Sequence, residues 1–362
     1  MINVCQVVSD TNIGGAGRYI LNYVKNFDRE NFSVTVLIPE NSMLKPELLK
    51  FSDISVREVP YMADKSFDRR AIAEIKKVFK EIKPQIVHTH ASLSARIAAK
   101  LSGIKTVIAT RHCIEPVGKF PVSFVKSILN NTLCDIYIAV SKAVAENLEK
   151  SGIDKKKIRQ INNGVEKIEA LSDEEKLKIK EKYGIGNEFV FGIFARLEEV
   201  KGHRYFIDAA KKYLEYGLPA KFLIVGNGSL EEELKKQAED SPEIIFTGYV
   251  NDTKELLNIT DVNVLASESE AMSLAILEAM SLGKPTIATN VGGNPQIVEN
   301  GRNGLLTEFS DSEGMKNAFI KFYADREFFN ACSKNAEEIY NQKYTAEVMV
   351  KNLEKLYMEV SK

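Results

Sequence analysis

Short apolar, β-branched runs alternate with longer stretches of helical periodicity along the chain, and part-way through the alternation begins again. INVCQVV (2–8), FSVTVLI (32–38), IVHTH (86–90), TVIAT (106–110) and IYIAV (136–140) have the length and residue types of buried strands. Helix-like stretches lie between them, among them 68–82, 92–101 and 142–150. Strands apolar on both faces, each followed by a helix, belong in a parallel sheet covered on both sides. After residue 188 the pattern restarts with FVFGIFA (189–195), AKFLIVG (220–226), EIIFTG (243–248), DVNVLAS (261–267) and PTIATN (285–290). Between the two series, LSDEEKLKIKEKYGIGNE is charged and lacks strand signals, so it reads as a connection holding one helix. The final stretch reads as wholly helical.

The expected architecture is therefore α/β, with two Rossmann-like, doubly wound domains, 1–167 and 168–343, facing each other across a cleft. The 362 residues suit this division, because single cores seldom grow past roughly 250–300 residues. Ligands of such sheets sit at the carboxyl ends of the strands, so one domain can hold a donor and the other an acceptor.

Net charge is −1, which gives no global pull toward nucleic acid. The halves differ, however. Residues 1–170 carry 26 Lys+Arg against 18 Asp+Glu, and residues 171–362 carry 23 against 32. A first half at +8 suits contact with something anionic. Cys5, Cys113, Cys134 and Cys332 are far apart, with no C-x-x-C pair, which argues against a disulfide framework and against a zinc site. MINVCQVVSD lacks a basic leader, and no apolar run reaches the ~18–20 residues needed to span a bilayer. The expectation is a cytoplasmic protein.

The strongest chemical signal is SESEAMSLAILEAMSLG (267–283). Glu270 falls in the loop after a strand, and Glu278 eight residues on lies inside the helix expected from about Leu274. Ser273 is placed to cap that helix, whose first free amides, near Ser273 and Leu274, form an anion site. Two carboxylates flanking a phosphate-binding helix end suit a nucleotide sugar, since carboxylates accept from sugar and ribose hydroxyls. ARLEEVKGH (195–203) also follows a strand. Arg196 and Lys201 stand where a diphosphate needs cations, and Gly202 permits close backbone approach.

NIGGAGRYI (12–20) puts Gly14, Gly15 and Gly17 in a loop between strand and helix, but not as G-x-G-x-x-G, so a dinucleotide fold is disfavoured. GGNPQIVENGRNG (292–304) reads as loop beside the Glu270 loop. His88 and His90 share a strand face. A metal pair there lacks a third ligand nearby, and hydrogen-bonded structural histidines are the better reading. His112 can reach the cleft. No Asp-x-Asp ends a strand, so the cationic pair, rather than a metal, is expected to meet the diphosphate, and no cofactor is expected.

Taken together, the GGAG loop, IVHTH, TRH, the SKA and NNGV segments at 141–165, ARL…KG, LIVGNG, FTGYV, the two glutamates and TNVGGNPQIV resemble the retaining glycosyltransferase family 4, of GT-B fold. The resemblance spans nearly the whole chain. It implies that Glu270 contacts the donor sugar, that Glu278 holds the ribose hydroxyls, and that Arg196 and Lys201 bind the diphosphate. It further implies a sugar contact from His112, approach of Gly15 to phosphate or acceptor, and a base pocket lined by Gly226, Gly228, Tyr249 and Val250. Where the family carries Gly-Phe-Gly, this chain has Ala271, Met272 and Ser273. Metal-independent hexosyl transfer from a UDP- or GDP-sugar, UDP favoured, is implied, with retention and the donor phosphate taking the acceptor proton. The resemblance also implies that residues 344–362 return to brace the first domain.

Other functions compete with this reading. A nucleotide-sugar epimerase of the same fold binds the same donors but needs added acid–base residues. A binding module without turnover sits badly with intact Glu270, Glu278, Arg196 and Lys201. VGKFPVSFVKSILNN (117–131) sets Phe120, Phe124, Val125, Ile128 and Leu129 near Lys119 and Lys126. The plainer reading, favoured here, is an amphipathic helix packed on its sheet. The other is peripheral contact with anionic lipid at the inner membrane face.

Overall fold

A computed structural model of the chain describes residues 1–119, 121–250 and 252–361. It divides into two compact units: Met1–Val165 with Ala346–Lys362, and Glu166–Thr345. The sequence reading set the divisions at 167/168 and 343/344.

The first unit runs β1 (Ile2–Val8), α1 (Gly15–Asn26), β2 (Phe32–Pro39), α2 (Leu44–Leu48), β3 (Ser55–Val59), α3 (Arg69–Ile82), β4 (Ile86–His90), α4 (Leu93–Leu101), β5 (Thr106–Arg111), α5 (Val122–Leu133), β6 (Ile136–Ala139), α6 (Lys142–Lys150) and β7 (Ile158–Gln160). Its strands form one parallel sheet in the order β3-β2-β1-β4-β5-β6-β7. The order reverses between β1 and β4. In β1, Val4, Cys5, Val7 and Val8 are fully buried, as expected of a central strand with both faces covered. The helices start where hydroxyl or carboxylate caps stand: Asp68 accepts from Arg70 N, Ser92 from Ala95 N and Ser141 from Val144 N.

The second unit runs α7 (Asp173–Lys182), β8 (Phe189–Phe194), α8 (His203–Leu214), β9 (Ala220–Val225), α9 (Glu231–Gln237), β10 (Ile244–Gly248), α10 (Lys254–Ile259), β11 (Val262–Leu265), α11 (Leu274–Ser281), β12 (Thr286–Thr289), α12 (Asn294–Ile297), β13 (Gly304–Thr307), α13 (Ser312–Ala324) and α14 (Arg326–Lys343). Its parallel sheet has the order β10-β9-β8-β11-β12-β13, reversing between β8 and β11. The remaining helix, α15 (Ala346–Val360), belongs to the first unit. It adds Met349, Val350, Leu353, Leu356 and Tyr357 to that unit's core. Each such side chain contributes roughly 1.5–3 kcal/mol of burial.

The structure departs from the sequence reading in several places. The segment 166–188, read as a connection holding one helix, carries α7 but also sends Ile168 and Ile185 into the second core with Leu223 and Leu256. Gly15 and Gly17 are the first turn of α1, not loop, and Gly17 packs on Leu44. The stretch 292–304 holds α12 and the first residue of β13.

The helix at 117–131 is also not packed on its sheet by its apolar side. No residue of α5 is buried, and Val122, Val125, Ile128 and Leu129 are among the exposed large apolar side chains. Phe120, part of that reading, lies outside the described residues.

Candidate functional site

The carboxyl ends of β8 and β11 flank the point where the second sheet's strand order reverses, the usual crevice for a ligand. The loop after β8 ends in a 3-10 turn, Glu199–Lys201, and then Gly202. The loop after β11 runs from Ala266 to Ser273, where α11 begins. The two loops are laced together. Glu268 N donates to Val200 O at 2.8 Å, and Lys201 Nζ donates to Glu270 Oε1 at 2.6 Å. Ser267 Oγ donates to the same Oε1 at 2.7 Å, and Gly293 N donates to the Glu270 carbonyl at 2.9 Å. The Glu270 side chain is only 11% exposed and that of Lys201 21%. Its Oε2 has no partner among the described residues, so this carboxylate is held by one oxygen and can accept through the other.

Gly202 makes that lacing possible. Its φ is +66°, and a Cβ there would stand 2.1 Å from the Ala266 carbonyl oxygen. Gly202→Ala is expected to destabilise this unit by about 3 kcal/mol or more, combining a left-handed backbone with a clash that only loop displacement relieves. Urea unfolding measures it, and a loss below ~1 kcal/mol would contradict the geometry. Gly226 does the same for the turn after β9. Its φ is +140°, and a Cβ would meet Ala195 O at 2.2 Å. Gly228 likewise presses on Leu197 O. These glycines therefore seat the β9 turn against the Arg196 loop, where Leu197 N donates to Asn227 O at 2.9 Å.

Arg196 is exposed, and its guanidinium makes no hydrogen bond or ion pair among the described residues. Neighbouring Glu198, by contrast, is tied to Ser229 through Oγ at 2.8 Å. Ser273 stands at the N-cap of α11 in extended backbone, but its hydroxyl makes no capping bond. The first amides of that helix, from Leu274, are therefore left for another acceptor. Glu278 lies partly buried in α11, while Ala271, Met272 and Ser273 are buried. Tyr249 is 65% exposed past β10, and Val250 packs against the unit's core. The structure thus brings Lys201, Glu270 and the start of α11 to one strand-end crevice. Ser267, which fixes Glu270, was missed by the sequence reading, since one serine after a strand carries no signal of its own.

In the first unit the corresponding reversal lies between β1 and β4. Gly14 is the N-cap of α1 without a side-chain cap, and Gly15, its first residue, has open space where a Cβ would be. Beside it runs a buried polar network. His88 Nδ1 meets Tyr357 Oη and His88 Nε2 meets Thr110 Oγ1, both at 2.6 Å. His90 Nε2 meets Gln6 Oε1 at 3.0 Å, and His90 Nδ1 meets His112 Nε2 at 2.8 Å. Gln6 Nε2 donates to Tyr357 Oη at 2.8 Å.

The Gln6 carbonyl oxygen can only accept, so His90 Nε2 carries its proton. His90 Nδ1 then accepts from His112 Nε2–H, which leaves His112 Nδ1 unprotonated. Burial keeps these rings neutral. It lowers His112 to about 4, helped by Arg111, and His88 to about 3, helped by His112, and it takes His90 well below the usual value. His88 and His90 are thus hydrogen-bonded structural histidines. Gln6 and Tyr357, which set the tautomers, were not legible, because Tyr357 arrives from a distant part of the chain.

His203, first residue of α8, is buried with neither ring nitrogen partnered among the described residues. Burial, then Lys201, lowers it to about 4.

Comparison with known proteins speaks to the family and the fold. Residues 13–167 match the pattern of Glycosyltransferase Family 4 and residues 175–339 that of Glycosyl transferases group 1. The chain is 30% identical over 378 residues to the UDP-Gal:alpha-D-GlcNAc-diphosphoundecaprenol alpha-1,3-galactosyltransferase of Escherichia coli, covering 96% of this chain and 94% of that one. It is 25% identical to the N-acetyl-alpha-D-glucosaminyl L-malate synthase of Bacillus anthracis over 86% of this chain and 84% of that one. Anabaena Alr3699/HepE in complex with UDP-glucose superposes with a TM-score of 0.87 at 21% identity, over 99% of this chain and 100% of that chain. A glycosyltransferase from Rickettsia africae gives 0.87 at 23% identity, over 100% and 99%. The two superpositions speak to fold. The sequence relationship carries the further step, and the chain belongs to glycosyltransferase family 4, the glycosyl transferases of group 1, with the GT-B fold of two Rossmann-like domains.

Proposed function

We propose that the chain transfers a hexosyl group from a UDP-sugar to a glycan, lipid-linked or small-molecule acceptor, with retention, in the cytoplasmic synthesis of a cell-surface polysaccharide or glycoconjugate. The observation that carries this reading is the Lys201–Glu270 pair, fixed by Ser267 at the strand-order reversal beside the uncapped start of α11. A carboxylate with one free oxygen suits sugar hydroxyls, and a cation with a helix end suits a diphosphate. The Escherichia coli relative is named for a UDP-galactose donor and a diphosphoundecaprenol acceptor, which supports UDP and a lipid-linked acceptor.

In the reaction, the bond from sugar C1 to the donor phosphate breaks and its electron pair leaves with UDP. The acceptor oxygen bonds C1 on the same face, and its proton passes to the departing phosphate. Arg196, Lys201 and the α11 amides, with Ser273 and Leu274 foremost, stabilise the charge that develops there. With that charge supplied by side chains, the reading calls for no metal and no cofactor. Glu278 holds the ribose hydroxyls, Glu270 orients the sugar with Met272 beside it, and Gly226, Gly228, Tyr249 and Val250 border the base. The roles proposed for His112 and Gly15 are contacts with donor or acceptor.

The test is thermal stabilisation against UDP- and GDP-sugars. A donor at a hundred times its Kd adds about 2.7 kcal/mol, a rise of roughly 5–10 °C in the second unit's midpoint. UDP-sugars should produce it, and Glu278→Ala should abolish it. Well-folded protein stabilised by no nucleotide sugar would end the transferase reading. Conversion of donor alone into a second sugar nucleotide would replace it with epimerisation.

A further inference from the structure

Helix α5 faces the wrong way for a helix folded onto a sheet. Its polar side chains make the contacts with the rest of the unit. Ser127 Oγ donates to Gly152 O at 2.6 Å, and Asn131 Nδ2 donates to the same carbonyl at 2.8 Å. Asn131 Oδ1 accepts from Asp154 N at 3.0 Å, and Asn130 Oδ1 accepts from Arg96 Nη1 at 2.9 Å. Val122, Val125, Ile128 and Leu129 are 61%, 62%, 53% and 41% exposed. At about 100° per residue these four fall on one arc, opposite Ser127, Asn130 and Asn131. A surface helix is ordinarily held by burying such side chains, at roughly 1.5–3 kcal/mol each. Here hydrogen bonds hold the helix, and the apolar arc is presented outward.

On this helix and in the segment leading into it, the charged residues are all basic. Between Glu115 and Asp135 there is no acidic residue, while Lys119 and Lys126 are present. The twelve residues of α5 span about 18 Å, well short of a hydrocarbon core of about 30 Å. Among the described residues no helix is long and apolar enough to cross a membrane.

We propose that this face of α5 rests on an anionic bilayer, with Val122, Val125, Ile128 and Leu129 at the headgroup–acyl boundary and the lysines against lipid phosphates. A second copy is the poorer occupant. Two-fold pairing of this face would bring the Lys119 and Lys126 of both copies together with no acidic residue on the helix to offset them. The proposal stands on α5 alone and does not depend on the transfer reaction.

The experiment is co-sedimentation of the full chain with phosphatidylcholine vesicles, with and without phosphatidylglycerol. Binding to the anionic vesicles is expected to exceed binding to the neutral ones at least ~10-fold, and to fall as salt screens the lysines. Val125→Ser with Ile128→Ser should weaken it ~10-fold or more. Lys119→Ala and Lys126→Ala should each weaken it about 5-fold, as ~1 kcal/mol per lysine implies. Leu49→Ser, at another exposed leucine, should leave it unchanged. All variants should keep the wild-type melting midpoint, because the altered side chains are not in the core. Wild type that ignores anionic vesicles, or serine variants that bind as wild type does, would overturn the proposal. So would a concentration-dependent dimer that the serine variants dissociate, which would assign the face to a second copy. Donor-dependent thermal stabilisation should be unaffected by the serine variants, so this outcome and the transferase reading fail separately.

Discussion

Lys201→Ala is expected to lower kcat by about 10²–10³-fold while the chain remains folded. In the structure Lys201 Nζ sits 2.6 Å from Glu270 Oε1, inside a loop pair fixed by backbone bonds. Its position owes little to any ligand. A cation preorganised in this way gains most as negative charge grows on the leaving diphosphate, and removing one such group typically costs about 3–4 kcal/mol of barrier. The part of the contact already made to the ground-state diphosphate appears as a raised KM. The stability cost is smaller. Glu270 keeps Ser267 as a donor, so about 1–3 kcal/mol from the second unit is expected. Steady-state kinetics with the donor identified by thermal stabilisation, beside a melting curve, separates the two. A kcat within about threefold of wild type would remove Lys201 from the chemistry, whatever its effect on KM.

Acid should unfold the first unit well above the pH at which carboxylates titrate. His88, lowered to about 3, and His112, lowered to about 4, are neutral in the folded protein. In the unfolded chain both titrate near 6.5. Their contribution is fully present above pH 6.5 and is lost as pH falls from there toward about 4 for His112 and about 3 for His88, because the unfolded state binds protons that the folded state refuses. At pH 5 the loss is about 2 kcal/mol for each of the two. His90, also lowered, adds in the same direction. Asp10 and Glu354, raised by burial, act in the opposite sense, and Asp68, lowered to about 2, adds a further loss only at more acid pH. Against a typical domain stability of about 5–15 kcal/mol this is a large fraction. Urea midpoints recorded between pH 7 and 5 should fall steeply, and a flat profile would mean that the rings take up protons in the folded state as readily as in the unfolded chain.

The parts of the fold legible in the sequence were those where local pattern and tertiary environment agree. Central strands such as β1 and β8 are largely apolar on both faces and stood out as runs. β3, β7 and β13 did not. SVREV carries two charges because an edge strand may wet one face, IRQ is three residues long, and GLLT begins on a glycine. The helix starts at Asp68, Ser92 and Ser141 were legible because the cap is a property of one residue. In the candidate site, Glu270, Lys201 and the start of α11 could be placed from the loops that follow their strands. Ser267 could not, because one serine after a strand carries no signal of its own, nor could the reason for Gly202, which depends on Ala266 in a second loop. The inverted α5 was misread for a related cause: periodicity shows that a helix has an apolar side, not which side faces the protein.

The placement of α15 also bears on how the chain is made. The first unit's core and its histidine network both need Tyr357, yet the whole of Glu166–Thr345 is synthesised between β7 and that residue. At ~5–20 residues per second the ribosome takes roughly 10–40 s over that interval. The second unit, one unbroken stretch, can complete itself as it emerges. The first must wait with a groove over α1 and β1 still open, and an unsatisfied glutamine and histidine within it. The earlier-made half is therefore the later-finished one, and it is on this half, during translation, that a chaperone has something to hold.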